Sequence, residues 1–241
     1  MSKCVLVTGA AKRIGAAIVK GLHAAGYSVI VHFRESFQAA VELKNELNDS
    51  RPRSVELLPA DLSKIELFPE LAGRAISIFG QIDALINNAS AFYPTPLDKV
   101  TEAQWHELIG CNLKAPFFLS LAFARELQQR GGGIINITDI HGLRPLHGFS
   151  IYSISKAGMI AMTRSLAREL APSVRVNGVA PGAILWPENQ TRAEREQILA
   201  KVALQRAGQP SDIVEAVLFL LKSNYITGQI LPIDGGRSLY S

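Results

Sequence analysis

Residues 4–15 have the sequence CVLVTGAAKRIG, in which an apolar run rich in β-branched residues meets a turn that contains Gly9 and Gly15. Helical apolar spacing continues from Gly15 to Ala25, and Gly26 then provides a helix stop. A strand that passes through such a turn into a helix is typical of nucleotide-binding α/β folds, because glycine lets the backbone approach a phosphate. The stretch therefore predicts a nucleotide site at the end of the first strand.

The same alternation of strand and helix continues along the chain. Runs rich in β-branched residues predict strands at Cys4–Thr8, Ser28–Phe33, Ser54–Leu58, Asp83–Asn87, Ile134–Thr138, Val174–Val179 and Gln229–Ile233. Apolar residues at helical spacing predict helices at Gly15–Ala25, Phe37–Leu47, Glu66–Phe79, Gln104–Arg130, Tyr152–Leu170 and Ser211–Leu221. This order predicts an α/β protein with one domain over 1–241, built on a doubly wound parallel sheet of about seven strands with helices on both faces. The stretch 183–209 has little strand signal, and we expect it to form a loop beside the substrate.

The composition is that of a globular protein without a dominant charge. The chain has 241 residues, of which 48% are hydrophobic, with 25 Lys+Arg residues against 21 Asp+Glu residues. The basic residues form no block, so no nucleic-acid partner is predicted. Cys4 and Cys111 are too few for a disulfide framework, and the five histidines are too scattered to predict a metal site. With no signal-like segment and no span of about 20 apolar residues, we expect a cytoplasmic protein without a membrane partner.

The residues after the second predicted strand indicate which cofactor the glycine turn would bind. The sequence His32-Phe33-Arg34-Glu35-Ser36 lies about 20 residues beyond the glycines, where an acidic residue accepts hydrogen bonds from the ribose of NAD. Arg34 and Ser36 suit a 2′-phosphate instead, because a guanidinium forms charge-assisted hydrogen bonds with phosphate. NADPH is therefore favoured over NADH, with Glu35 turned to solvent or paired with Arg34.

Tyr152 and Lys156 form a candidate catalytic pair about one helical turn apart. This i, i+4 spacing places both side chains on one face of a helix. A nearby ammonium favours the phenolate, so we expect Lys156 to lower the pKa of Tyr152 toward the range that suits proton transfer. Three further elements complete the pattern along the chain: Asn87-Asn88-Ala89, Asn112 and Pro181-Gly182.

In this combined order, from Thr8 to Gly236, the chain resembles the short-chain dehydrogenase/reductase family. The resemblance implies a Rossmann-type sheet and hydride transfer from a nicotinamide. It also implies that Tyr152 donates a proton, that Lys156 contacts the nicotinamide ribose and that Asn112 holds a proton-relay water. The implied cofactor-binding residues are Gly9, Arg13, Ile14, Gly15, His32, Phe33, Arg34, Ser36, Asp61, Leu62, Asn88, Ala89, Ser90, Tyr152, Lys156, Pro181 and Gly182.

Two positions depart from the pattern of that family. Arg13 stands where the TGxxxGxG turn of the family has its middle glycine, and Asp139 stands where the family usually has serine. A carboxylate would repel the alkoxide that develops when a ketone is reduced. Asp139 therefore points to a substrate with nitrogen protons, or to a ring nitrogen that is protonated through Tyr152. The alternative is that Asp139 is a simple loop residue and that Thr138 does the work of the serine.

Together with the segment Asn87–Pro96, these departures are similar to the pteridine reductase subfamily. That resemblance implies NADPH-dependent reduction of dihydropterins or folates, with Phe92 stacked on the flat pterin unless it packs locally. The turn after the second strand differs from the His-Tyr-His-Arg-Ser typical of those enzymes, and Trp186 would either stack on the substrate or anchor the 183–209 segment. The implied catalytic residues are Asp139, Tyr152, Lys156 and Asn112. The implied substrate-binding residues are Arg13, Ser90, Phe92, Asp139 and Tyr152.

Two other functions are weighed against this one. A carbonyl or 3-oxoacyl reductase of the same family is disfavoured by Asp139, and a non-catalytic NADPH-binding sensor is disfavoured by the intact catalytic set. The family resemblance also implies a homotetramer, for which the apolar helix faces around Pro116–Ala124 and Met159–Leu170 are the candidate interface.

Overall fold

The computed structural model describes residues 2–186 and 190–240. Seven strands are present: β1 (Cys4–Val7), β2 (Ser28–Phe33), β3 (Val55–Pro59), β4 (Ala84–Asn87), β5 (Gly133–Ile137), β6 (Arg175–Pro181) and β7 (Ile230–Ile233). They form one parallel sheet in the order β3-β2-β1-β4-β5-β6-β7. Each predicted strand is confirmed to within about two residues at either end, the usual uncertainty of strand and helix boundaries. The predicted single-domain Rossmann-type fold is likewise confirmed.

Helices cover both faces of the sheet. They are α1 (Arg13–Ala24), α2 (Phe37–Ser50), α3 (Phe68–Phe79), α4 (Glu102–Ile109), α5 (Ala115–Arg130), α6 (Ser150–Glu169), α7 (Arg192–Leu199) and α8 (Pro210–Lys222). Short 3₁₀ turns lie at Ile65–Leu67, Ile140–Gly142 and Arg237–Leu239, and a π turn lies at Gly110–Lys114. Helix α7 is the charged part of the 183–209 segment, and a capping box between Thr191 and Glu194 sets its start.

The two faces of the sheet carry separate hydrophobic cores, as alternation along each strand requires. In β1, Val5 and Val7 face the core that contains α1, α2 and α8. Cys4 and Leu6 face the core that contains α3, α5 and α6. Because a parallel sheet is covered on both faces, the strands are apolar on both sides, which explains their continuous hydrophobic runs.

The single helix predicted over Gln104–Arg130 is wrong in its middle. Helix α4 starts at Glu102, where Thr101 forms a capping box with Gln104, and it ends at the π turn, in which the Ala115 N–H bonds to the Gly110 carbonyl. Pro116 explains the interruption, because proline has no N–H to donate to the carbonyl four residues earlier. That carbonyl belongs to Asn112, so the turn places an unusual backbone position at a predicted catalytic residue.

The run Glu102–Arg130 contains α4, the π turn and α5, and it has the length and composition to cross a membrane. Within the described ranges it is the one helical run of that kind. Its side chains Leu119 and Phe123 are buried in the core beneath the sheet. A core helix of a globular domain satisfies the same length and composition test, and the packing favours that interpretation.

The strand order fixes where a ligand can bind. Strand β1 lies between β2 and β4, and the chain leaves these central strands toward opposite faces of the sheet. The loops that follow β1 and β4 therefore diverge and leave a crevice at the carboxyl edge, the usual ligand position in open α/β sheets.

Candidate functional site

A cavity of about 1100 Å³ lies at this carboxyl edge. It is lined by the glycine turn, by the ends of β2, β4, β5 and β6, and by the start of α6. Every predicted cofactor and substrate residue lines it, from Gly9 to Gly182. Among the predicted site residues, Asn112 alone does not line the cavity, because it is fully buried. The structure thus brings the predicted residues together without assigning their roles.

The glycine turn has no room for side chains at two positions. Gly9 has a φ of 58°, and a Cβ there would lie 2.8 Å from the Ala89 Cα. A Cβ on Gly15 would lie 2.7 Å from the Asn88 Nδ2 atom. Asn88 fixes the turn by donating from Nδ2 to the carbonyls of Thr8 (2.9 Å) and Gly9 (3.0 Å). The backbone of the turn is therefore bare and rigid, which suits the close approach of a pyrophosphate.

Helix α1 begins at this turn, and no side chain of its own balances the partial positive charge of its N-terminus. Its N-cap residue Lys12 makes no side-chain capping bond, and its first turn holds no acidic residue. Uncapped N–H groups and the helix dipole favour an anion at this end. Arg13 adds a cation there, although its φ of 55° lies in the left-handed region that favours glycine. The residues present fit a dinucleotide phosphate.

His32 is buried at the end of β2 and serves the turn through both ring nitrogens. Its Nδ1 atom accepts from the Gly9 N–H at 3.1 Å, so Nε2 carries the proton and donates to the Ala60 carbonyl at 3.2 Å. Burial lowers the pKa of His32 to about 4, against which the Ala60 hydrogen bond acts only weakly. At neutral pH this histidine is uncharged, and its two hydrogen bonds join β2 to the glycine turn and to the segment after β3. Its predicted contact with the cofactor stays a prediction.

Arg34 and Glu35 lie on the exposed side of the cavity. The Arg34 Nε atom is 3.0 Å from the Glu35 Oε1 atom, so the second of the two predicted alternatives for Glu35 is the one observed. Both side chains are mostly exposed, and an ion pair of this kind contributes about 0–1 kcal/mol. The pair therefore opens at little cost, and Arg34 is available to a 2′-phosphate.

Tyr152 and Asp139 form the chemical centre of the cavity. The Tyr152 hydroxyl donates to the Asp139 Oδ2 atom at 2.7 Å, while Oδ1 accepts from the backbone N–H of His141 at 2.8 Å. Asp139 is thereby held as a fixed acceptor at the start of the 3₁₀ turn. The alternative role for Thr138 is disfavoured, because that side chain is 2% exposed and its hydroxyl donates to the Val179 carbonyl at 2.9 Å.

The expected lowering of the Tyr152 pKa by Lys156 is wrong for this arrangement. Burial first, and then the Asp139 carboxylate, raise the pKa of Tyr152 well above its ordinary value. The Lys156 Nζ atom lies 5.7 Å from the centroid of the tyrosine ring and donates instead to the Ile137 carbonyl at 3.0 Å. Burial in turn lowers the pKa of Lys156. A phenol that is hydrogen-bonded to a carboxylate keeps its proton, so Tyr152 is protonated at neutral pH.

Asn112 connects the wall of the cavity to α6. Its Oδ1 atom accepts from the Ala91 N–H (2.8 Å) and the Ser90 hydroxyl (3.1 Å), and its Nδ2 atom donates to the Ala91 carbonyl (3.0 Å) and to Ser155 (3.1 Å). These four bonds fill the side chain's capacity. A relay water at Asn112 would therefore bind its backbone carbonyl, which Pro116 leaves without the usual helical donor.

An aromatic cluster forms one wall beside Tyr152. The Phe92 ring stacks on Phe149 with centroids 4.7 Å apart and meets Tyr152 edge-on at 4.8 Å. Phe92 is nevertheless about half exposed, and it lines the cavity. Trp186 also lines the cavity and lies against the Arg195 guanidinium, 5.8 Å from the ring centroid, so it both anchors α7 and faces the site. The neighbours Pro187, Glu188 and Asn189 lie outside the described residues.

Sequence reasoning missed several lining residues. They come from segments that carry no motif, which are two loops, helix α7 and the last 3₁₀ turn: Leu146, Phe149, Ile198 and Arg237. The isolated bridge between Thr95 and Phe149 joins two loops that are far apart in sequence, and no spacing rule reveals such a pairing. His141, two residues after Asp139, also lines the cavity. In the described part of the chain, no three His, Cys, Asp or Glu side chains are grouped to hold a metal ion.

Comparison with known proteins covers nearly the whole chain. Residues 9–238 match the family model described as enoyl-(acyl carrier protein) reductase. The chain is 38% identical to pteridine reductase 1 of Leishmania tarentolae, over 97% of this chain and 96% of that protein. It is 35% identical to the 3-oxoacyl-(acyl-carrier-protein) reductase FabG of Staphylococcus epidermidis, over 98% of this chain and 99% of that protein. The FabG of Staphylococcus aureus is also 35% identical, over 98% of each chain.

Proposed function

Because this chain belongs to the short-chain dehydrogenase/reductase family of NAD(P)-type oxidoreductases, we propose that it is an NADPH-dependent pteridine reductase. Its substrates are dihydropterins or dihydrofolate. The observation that carries the proposal is the Asp139 carboxylate 2.7 Å from the Tyr152 hydroxyl. This acceptor suits a heterocycle with N–H groups and opposes the alkoxide of a ketone reduction.

The cofactor preference rests on charge around the glycine turn. Arg34 and Ser36 line the cavity beyond β2, and Arg13 lies at the start of α1. A 2′-phosphate gains from Arg34 once the exposed pair with Glu35 opens. We expect kcat/KM for NADPH to exceed that for NADH about tenfold or more, which corresponds to one charge-assisted bond. Equal values for the two cofactors would contradict the preference.

The protein's own groups manage the proton. When bound, the cofactor supplies a hydride to a carbon of the pterin ring. The raised pKa of Tyr152 keeps the phenol protonated, so its hydroxyl can deliver a proton to the adjacent ring nitrogen. Asp139 orients that hydroxyl before the transfer, and its carboxylate accepts from substrate N–H groups. Lys156, buried beside the tyrosine ring, stabilises the phenolate that remains.

Stacking supports the same class of substrate. The half-exposed Phe92 offers a planar surface beside Tyr152, and its partner Phe149 holds it in place. A flat heterocycle gains from offset stacking and from burial against such a ring. Ser90, with its hydroxyl bonded to Asn112, is at hand for the polar edge of the heterocycle.

A 3-oxoacyl reductase is the second candidate, and the 35% identity to the FabG proteins favours it. The assay that separates the two candidates follows NADPH oxidation with dihydrobiopterin, dihydrofolate and an acetoacetyl ester in parallel. Turnover of the pterins alone is the expected result, and turnover of the ester alone would overturn the proposal. Tight NADPH binding without turnover of any of the three would instead favour the non-catalytic sensor.

Two neighbouring variants test the role of Asp139. Asp139→Ser restores the usual residue of the family, and we expect pterin reduction to fall while ketoester reduction rises. Thr138→Val removes the hydroxyl that already faces the Val179 carbonyl, and we expect pterin turnover to persist in this control. Loss of turnover in the Thr138 variant alone, with folding intact by circular dichroism, would transfer the role to Thr138.

A further inference from the structure

Arg237 contributes a cation to the cavity. It lies near the C-terminal end of the sequence, whereas the glycine turn lies near the N-terminal end. Arg237 follows β7 and starts the last 3₁₀ turn, and its side chain is partly buried in the cavity wall. Trp186 and Ile198 of the 183–209 segment line the same cavity. A backbone bond from the Leu204 N–H to the Gly235 carbonyl, 3.0 Å long, ties that segment to the turn that carries Arg237.

The turn is rigid because Asp234 organises it. The Asp234 carboxylate accepts from the backbone N–H groups of Gly236 (2.9 Å) and Ser238 (2.8 Å), and its carbonyl accepts from the Arg237 N–H at 3.1 Å. Gly236 provides the left-handed conformation that the turn needs, with a φ of 80°. The acidic side chain closest in sequence is thus engaged by backbone donors, and Arg237 is presented from a fixed backbone.

The Arg237 guanidinium makes no hydrogen bond or ion pair with any residue of the described ranges 2–186 and 190–240. A partly buried arginine normally gains such partners, since its five N–H donors need acceptors. In the chemical centre, Asp139 is engaged by Tyr152 and His141 and does not pair with Arg237. The other carboxylates of the lining belong to Glu35, Asp61 and Glu107, on the segments after β2 and β3 and on α4.

Four further residues of the lining that contains Arg237 are apolar or aromatic. Leu146 and Phe149 line the cavity before α6, and Trp186 and Ile198 line it from the 183–209 segment. A part of the substrate that packs on these four side chains needs to be apolar or aromatic. A part of the substrate that reaches Arg237 meets a guanidinium. A carboxylate on that part would form the charge-assisted bonds that Arg237 lacks.

We propose that Arg237 selects pterin substrates whose side chain is an aromatic extension ending in carboxylates, the chemistry of dihydrofolate, over those with a short neutral side chain, such as dihydrobiopterin. The inference rests on the proposed pteridine reductase function and adds the substrate class that the site prefers. Arg237 acts on binding of the extension alone, at a distance from the transferred hydride and proton. Its loss therefore changes KM and leaves the chemical step in place.

The test compares kcat/KM for dihydrofolate and dihydrobiopterin in the native protein, Arg237→Gln and Arg237→Lys. We expect Arg237→Gln to reduce the dihydrofolate-to-dihydrobiopterin ratio about tenfold, through a higher KM for dihydrofolate, and Arg237→Lys to restore part of it. Arg144→Gln is the matched control, because its guanidinium lies at the Tyr240 carbonyl (3.4 Å) and outside the cavity lining. It should leave the ratio as in the native protein.

An inhibition measurement provides a second readout, in which the probe itself is not turned over. p-Aminobenzoylglutamate, which carries the extension without the pterin, should inhibit dihydrobiopterin reduction competitively, and more weakly at higher salt, because charge pairs near the surface are screened. Arg237→Gln should abolish both the inhibition and its salt dependence. If dihydrobiopterin is reduced and the ratio is the same in Arg237→Gln and Arg144→Gln, the role of Arg237 is overturned while the proposed function stands. If neither pterin is reduced, both proposals fall together.

Discussion

Arg13 has a backbone conformation that its side chain disfavours. Its φ of 55° belongs to the left-handed region, where a non-glycine residue costs about 1–2 kcal/mol. The family pattern has glycine at this position, which relieves that strain. An arginine that persists there despite the strain is best explained by a ligand, and the uncapped start of α1 is where an anion would meet it.

We expect Arg13→Gly to raise the free energy of unfolding by up to about 1 kcal/mol, since relief of strain exceeds the extra entropy of glycine in the unfolded chain. The same change should raise KM for NADPH, because a cation beside the phosphates is lost. Urea unfolding and steady-state kinetics measure the two effects. Arg53→Gly is the matched control: Arg53 has a φ of 56° outside the site, so its variant should gain stability with KM unaltered. A lower stability of Arg13→Gly would contradict the assignment of strain.

The pair of Asp139 and Tyr152 makes a prediction about pH. Because the carboxylate raises the pKa of Tyr152, replacing it with a neutral amide should lower that pKa. The phenol must be protonated to donate, so activity is lost as the pH rises through its pKa. In Asp139→Asn the alkaline limb of kcat/KM with dihydrobiopterin should therefore move to lower pH, alongside a reduced maximum rate. An alkaline limb at the same pH as in the native protein would show that Asp139 does not control the phenol.

The residues of the site could be predicted because their motifs are local. Thr8 to Gly15 and Tyr152 with Lys156 have fixed spacings, and the structure brings them to one cavity. The direction of the Tyr152 pKa could not be predicted, because it depends on how deeply the ring is buried and on where Asp139 points. Phe149 and Arg237 were missed for a related reason, since their positions depend on contacts between distant loops.

At the scale of secondary structure elements, His32 joins three of them. It lies in β2 one residue before the strand ends, accepts from the glycine turn after β1 and donates to the segment after β3. Both bonds require the neutral imidazole with its proton on Nε2. The stability of the nucleotide end of the sheet is therefore linked to the protonation of one buried ring.

His32 should make the fold sensitive to acid. Its folded-state pKa of about 4 lies below the ordinary 6.5, so below pH 6.5 the unfolded chain binds a proton that the folded chain does not. Stability contributed by the neutral ring is present above pH 6.5 and decreases until the folded ring titrates near pH 4. This residue alone should lower the free energy of unfolding by about 2 kcal/mol between pH 7 and pH 5.

Urea unfolding of His32→Asn at the same two pH values tests this linkage. Asparagine keeps an acceptor for the Gly9 N–H and does not titrate, so the pH dependence should shrink by about 2 kcal/mol. The exposed His106, replaced in the same way, is the control and should leave the pH dependence as it is. A His32→Asn protein that is as acid-sensitive as the native one would exclude His32 as the cause.

The elements themselves were predictable wherever one periodicity persists. Alternating β-branched runs and helical spacing give the parallel sheet with small errors at the ends. The prediction of one helix over Gln104–Arg130 was wrong because apolar spacing does not reveal a π turn. The cause of that turn is the missing N–H of Pro116. Helix α7 carries almost no apolar face, so apolar spacing did not predict it and the whole 183–209 segment was expected to be a loop.

The whole molecule exposes apolar side chains that its own cores do not use. Phe118 and Leu121 on α5 are 40% and 44% exposed, within the segment Pro116–Ala124 proposed as an interface. In the second proposed segment, Met159–Leu170, several apolar side chains lie in the core beneath the sheet. Its part in an interface stays a prediction. The spacing of apolar residues along α6 is compatible with a subunit interface and with a core face. The sequence alone does not distinguish the two, because the difference depends on how α6 packs on the sheet.

Assembly is therefore expected to depend on α5. If the protein is a homotetramer, as its resemblance to the family implies, Leu121→Glu places a charge in an apolar contact and should dissociate it at micromolar concentration. Light scattering measures the mass of each variant, and circular dichroism verifies that the fold is intact. Phe37→Glu is the matched control, because Phe37 is also exposed (62%) and lies on α2, on the opposite face of the sheet from α5, and it should keep the native mass. A native protein with the mass of a single chain would refute the tetramer outright. A tetramer that tolerates Leu121→Glu would move the interface to another face.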